Sequence, residues 1–173
     1  MYHQRIAAFL LGAWILGSLF MIFVATQNFS MADQLGNPAT HAALRDMAGR
    51  LNQLFFLNWE RAELALGILL TAFLLFGAGR RLLAALAAAP LALVIVQHLL
   101  VTPQMITLAA QLDTPAMAAQ FARLHAAYGV VEVAKLVLTL ALAVLLLPTW
   151  RRRDGSAVQV QPVDYAHHGH VDG

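Results

Sequence analysis

Residues 64–102 read LALGILLTAFLLFGAGRRLLAALAAAPLALVIVQHLLVT. Two uncharged runs, 64–79 and 82–102, meet at Arg80-Arg81. A membrane-spanning helix needs about 20 predominantly apolar residues. The second run has that length and is closed by Pro103, with Pro90 inside it as an expected kink. The first run is short, so its span has to begin near Trp59, at about 59–79. That draws Glu60, Arg61 and Glu63 towards the membrane and places Trp59 in the interfacial aromatic belt.

Two further spans follow from the same criterion. Residues 6–26 carry no charge, and the run is longer than a signal-peptide core, so it reads as an uncleaved span. Ala8/Gly12 and Ala13/Gly17 are small pairs suited to close helix contact. The last span covers about 125–147 and ends at Pro148 and Arg151-Arg152-Arg153. Thr114 is a natural N-cap with Pro115 at the first helical position, which predicts one long helix from there. Composition agrees: 60% of the 173 residues are hydrophobic and only 12% charged, against about 25% in soluble domains. The expected fold is an all-α integral membrane four-helix bundle.

The connections are distinguishable. Asn37-Pro38 marks a helix start, and Leu44, Met47, Leu51, Leu54 and Phe55 recur with helical spacing. Residues 38–56 are therefore expected to form an amphipathic helix outside the membrane, lying on its surface or capping the bundle, with an outward extension of the second span as the alternative. Residues 103–113 form a shorter connection. Residues 151–173 lack apolar periodicity and are expected to be a disordered tail, with His167, His168 and His170 in it. Six arginines (5, 80, 81, 151, 152, 153) lie at one end of the spans and four (45, 50, 61, 123) at the other. The positive-inside rule then puts both termini in the cytoplasm of a bacterial-like inner membrane.

Function is constrained mainly by exclusion. Cysteine is absent, which removes disulfides, thiol catalysis and Cys-type zinc sites. A formal charge of +2, with most arginines at helix ends, argues against nucleic-acid binding. No Gly-x-Ser-x-Gly, His-Glu-x-x-His or phosphate loop occurs, so an enzyme is not expected.

The informative residues are ionisable ones inside the spans. Glu63, His98 and Glu132 each lie 16 residues from the arginine-rich end of their helix. At about 1.5 Å per residue that is roughly 24 Å into a core of about 30 Å. Charges at such depth usually face a bundle interior. His125, Tyr128, Glu132, Lys135 and Thr139 share one helix face, and Glu132 and Lys135 can pair along it. One reading is a network of Glu60, Arg61, Glu63, Glu132 and Lys135 that fixes helix register, pairing Glu63 with Lys135 and Glu132 with Arg61. A second is a metal site of Glu63, His98, His125 and Glu132, or a haem or pigment site using His98, His125 and Tyr128. A third is proton-coupled solute handling. The expected role is an accessory or structural component of a membrane complex, whose partners are the lipid bilayer and other subunits or further copies of the chain.

The stretch Phe121-Ala122-Arg123-Leu124-His125-Ala126-Ala127-Tyr128, followed by Glu132 and an apolar helix, resembles the last span of the DUF4149/TMEM205-like group of small four-helix membrane proteins. The opening span, with Gly12, Gly17 and a polar Gln27-Asn28 exit, is similar to that group as well. The resemblance covers about two of the four spans. It implies the fold and supplies no catalytic residue.

Overall fold

The computed structural model describes residues 2–112 and 114–146. Every regular element in that range is helical. Helix α1 is Tyr2–Leu35, and α2 is His41–Ala72, continued by a π-helical turn at Phe73–Gly77. Helix α3 is Arg81–Val96, and a second π turn, Gln97–Val101, leads into α4, Thr102–Ala109. Helix α5 is Pro115–Leu146. Neighbours are α1 with α2, α2 with α3, α3 with α5, and α5 with α1, so the helices close on themselves around one interior.

Local chemistry sets the ends. Asn37 Oδ1 accepts the N–H groups of Ala39 and Thr40, both at 3.0 Å, and so starts α2. Thr114 Oγ1 accepts the Met117 N–H at 3.3 Å, the expected cap of α5. Gly79 turns the chain between α2 and α3 with a φ of 62°, a left-handed conformation that favours glycine. Asp33, at the far end of α1, holds Arg45 (2.6 Å) and His41 (3.1 Å) and clasps the α1–α2 turn.

Two expectations about the connections are corrected. Residues 38–56 do not form a separate cap: residues 41–72 are one helix, so the amphipathic segment extends the second apolar run outwards. Its inward stripe simply continues, with Ala48 and Asn52 buried. Asn28 Nδ2 donates to Asn52 Oδ1 at 2.6 Å, which holds α1 and α2 together there. Nor does Pro103 end the third helix, which runs on to Ala109. Proline lacks an N–H and its ring crowds the carbonyl four residues back, here that of Leu99. The π turn just before it loosens that spacing, with the Thr102 N–H bonded to Gln97 O.

Three helices are long and apolar enough to cross a membrane: Tyr2–Leu35, Arg81–Ala109 and Pro115–Leu146. Helix α2 is not one of them, because Arg45, Asp46 and Arg50 make its first half polar and Glu60, Arg61 and Glu63 interrupt its second. Large apolar side chains point outwards in stripes, Phe9, Leu16, Phe20 and Phe23 on α1 and Val130, Val133, Val137 and Val144 on α5. These features mark a membrane protein. The interior has two halves. Towards Arg80, Ala7, Leu11, Leu70, Leu74, Ala84, Ala87, Leu142 and Leu146 form an apolar core. Small alanines there bring backbones close, as membrane helices require. The other half is polar. The disordered-tail expectation, with its three histidines, concerns residues 151–173 and lies outside the described residues.

Candidate functional site

The polar half is built on the α2 turn Asn58-Trp59-Glu60-Arg61-Ala62-Glu63. Glu60 and Glu63, three residues apart, share the inward face and are both fully buried. Arg61 lies between them on the outward face and is exposed.

Glu63 is held from two other helices. On α1, Trp14 Nε1 donates to its Oε1 at 2.9 Å and Ser18 Oγ donates to the same oxygen at 3.3 Å. From α5, Lys135 Nζ donates to its Oε2 at 2.6 Å. Lys135, itself 1% exposed, also donates to Glu132 Oε1 at 2.8 Å. That oxygen receives the Gln97 amide at 2.7 Å as well. Glu60 forms an adjoining group: Thr102 Oγ1 and Tyr128 OH donate to its Oε1 at 2.5 and 3.1 Å. His98 Nδ1 lies 3.0 Å from its Oε2. All four sides of the interior contribute, and the contacts of Lys135 with Glu63 and Glu132 have the geometry of charge-assisted hydrogen bonds.

The π turn explains how the α3 side reaches both acids. Gln97 and His98 are consecutive, yet Gln97 meets Glu132 on α5 and His98 meets Glu60 on α2. Thr102, after the turn, joins His98 on Glu60. Such turns recur at functional positions.

The three depth-matched residues, Glu63, His98 and Glu132, do converge. Glu60, Glu63, His98, Tyr128, Glu132 and Lys135 lie in this network, and the expected Glu63–Lys135 and Glu132–Lys135 pairs form. The expected Glu132–Arg61 pair does not: Arg61 donates to Asn58 Oδ1 at 3.4 Å, one turn back on the surface. His125 also stays out. It is exposed and stacks on Phe121, with ring centroids 5.9 Å apart, because the inward face of α5 begins a turn later at Tyr128. The four-residue metal set Glu63, His98, His125 and Glu132 therefore does not assemble, and among the described residues no three His, Asp or Glu side chains are placed so that they could hold a metal ion. A haem site spanning His98, His125 and Tyr128 fails for the same reason.

Trp14, Ser18 and Thr102 belong to the network although nothing in the sequence singled them out. Trp14 and Ser18 sit four apart on the face that also carries Ala7 and Leu11, and that spacing was the available signal. Trp59 is half-buried: its ring packs on Gly17 and its Nε1 is buried without a partner. Two surface hollows, one lined by Pro103, Gln104, Thr107, Leu108 and Gln120 and one by His3, Ala7, Leu74, Gly77 and Leu146, contain no network side chain.

No protein-family model matches the chain, and comparisons with curated proteins and solved structures give no significant match.

Proposed function

We propose that the chain is a small four-span integral membrane protein of the DUF4149/TMEM205-like kind, acting as a component of a membrane assembly. In this reading α2 and its π turn supply the fourth span, and both ends of the described chain lie on the Arg80 side. The observation that carries the reading is the closure of the polar network on itself. Its carboxylates are met by side chains of this same chain, and neither surface hollow opens onto it. A network of that kind fixes which helix faces meet, a role buried ion pairs serve in some proteins. The surface left for interaction is then the outward apolar face, which suits lipid and neighbouring membrane subunits.

Native mass spectrometry of the protein gently extracted from its own membrane tests this. A stoichiometric additional polypeptide, or a defined number of copies, is the expected result. A clean monomer from every mild detergent tried would remove the assembly role and leave the membrane fold.

A further inference from the structure

Pairing by distance leaves one acid over. Glu63 takes Lys135 at 2.6 Å and Glu60 takes His98 at 3.0 Å. Glu132 is left with a share of the same ammonium, at 2.8 Å, and with the neutral amide of Gln97, at 2.7 Å. Even with His98 cationic, three carboxylates face two cations.

A second observation concerns Gln97 alone. Its side chain is fully buried, its Nε2 donates to Glu132, and its Oε1 has no hydrogen-bond partner. An acceptor short of a donor thus sits beside a carboxyl short of a counter-charge. Both deficits are costly away from water. One ligand removes both, and it is a proton. On Glu132 it cancels the surplus charge and creates an O–H donor. A glutamine suits that task because its amide offers donor and acceptor and serves either after a half-turn.

Lys135 meets Glu132 directly. The other titratable groups of the network lie around it on Glu60 and Glu63 of α2: Tyr128 and His98 bond to Glu60, and Lys135 to Glu63. Helix α1 brings Trp14 and Ser18, which donate to Glu63. Arg61 and His125 are exposed on the outer faces of α2 and α5.

We propose that Glu132 and Gln97 form an intramembrane proton-binding site, in which Glu132 holds the proton as a neutral acid hydrogen-bonded to Gln97. The proton reaches it from the end where His98, 28% exposed at its side chain, closes over Glu60. Glu132 is itself 12% exposed at its side chain, and towards Arg80 the apolar core of Leu70, Leu74, Ala87 and Leu142 follows; in this proposal the site has a single opening and stores a proton without conducting it. This goes beyond the assembly role and shares with it only the membrane placement.

Infrared spectroscopy of the full chain in lipid nanodiscs at neutral pH is the test. The expected result is a protonated-carboxyl C=O band that moves down in D2O, disappears in Glu132→Gln and shifts in Gln97→Leu, with folding of each variant checked by circular dichroism. No such band in the unaltered protein overturns the proposal, and so does a band that survives Glu132→Gln. Should Glu132→Gln not fold, the Gln97→Leu spectrum decides: an unmoved band overturns the assignment. A band that appears only when sodium is replaced by choline at constant pH identifies a metal cation as the ligand, and overturns it too. Proton flux into proteoliposomes that depends on Glu132 would refute the single opening. None of these readouts depends on a partner, so their failure leaves the mass-spectrometric result on assembly standing.

Discussion

Lys135 carries more of the network than any other residue, since it joins two acids while almost wholly buried. Removing one member of a buried ion pair leaves the other uncompensated and typically costs about 3–5 kcal/mol. Lys135→Met is therefore expected to lower stability by that order, read as the denaturation midpoint in mild detergent. Adding Glu63→Gln to it should recover part of the loss, because the double variant no longer buries that lone charge; an additive double variant would mean the two side chains do not interact. The Glu63–Lys135 contact was legible from burial, since a carboxylate and an ammonium inside the spans both have to turn inward and find a partner. The Glu132–Arg61 contact was misread because depth says nothing of azimuth. Arg61 is two positions from Glu63, roughly 200° around the helix, and points away. Outside the spans, Asp33 offers a pH-dependent contact. The hydrogen bond from Arg45, with its charge and that of His41, holds the Asp33 carboxyl below its ordinary value of 3.8. A carboxyl so lowered adds stability above its unfolded value, and the contribution vanishes as pH falls through the folded one. Protection against hydrogen exchange at residues 33–41, taken relative to the intrinsic rate at each pH, should fall on acidification below about pH 4. Asp33→Asn should show the lower protection already at neutral pH.

At the scale of the helix, the same residue type has different consequences at different places. A Cβ on Gly17 would lie 1.9 Å from the Trp59 ring, while Gly12 and Gly129 have open space around that position. Gly12→Ala and Gly129→Ala are expected to be neutral or to stabilise by up to about 1 kcal/mol through helix propensity. Gly17→Ala should destabilise and displace Trp59, visible as a changed tryptophan emission. Equal effects at all three positions would mean that Trp59 does not occupy the Gly17 notch. The sequence marked Gly12 and Gly17 alike as contact points, because smallness is visible in a sequence and the neighbour is not. The π turn at 97–101 was illegible for a similar reason. Pro103 read as a stop, and the widened turn that lets a helix pass a proline leaves no residue signature of its own. The extent of α2 was misjudged where two weak signals competed. An amphipathic stripe alone fits either a surface helix or an extension, and the absence of any glycine or proline between 50 and 66 was the better guide.

For the molecule as a whole, the fold class was legible because hydropathy and length answer to one constraint, the satisfaction of every backbone group inside hydrocarbon. The path of α2 is the part that constraint leaves open. Three helices meet the length and hydropathy for crossing, and α2 joins them only if its buried acids are neutralised inside the protein. The network supplies that neutralisation, with Trp14, Ser18 and Lys135 on Glu63 and Thr102, Tyr128 and His98 on Glu60. The two possibilities give opposite topologies. If α2 crosses, Asn37 and Gly79 lie on opposite sides of the membrane; if it does not, they lie on the same side. Because the chain contains no cysteine, Asn37→Cys and Gly79→Cys each give a single reactive thiol in an otherwise silent background. Labelling in sealed vesicles with an impermeant maleimide is expected to modify one variant before the membrane is opened and the other only afterwards. Gln104→Cys should behave like Asn37→Cys, since α3 and α4 return the chain to that end. Labelling of Asn37→Cys and Gly79→Cys from the same side would leave Glu60 and Glu63 outside the hydrocarbon, and the polar network would then be a surface feature with water as its competitor.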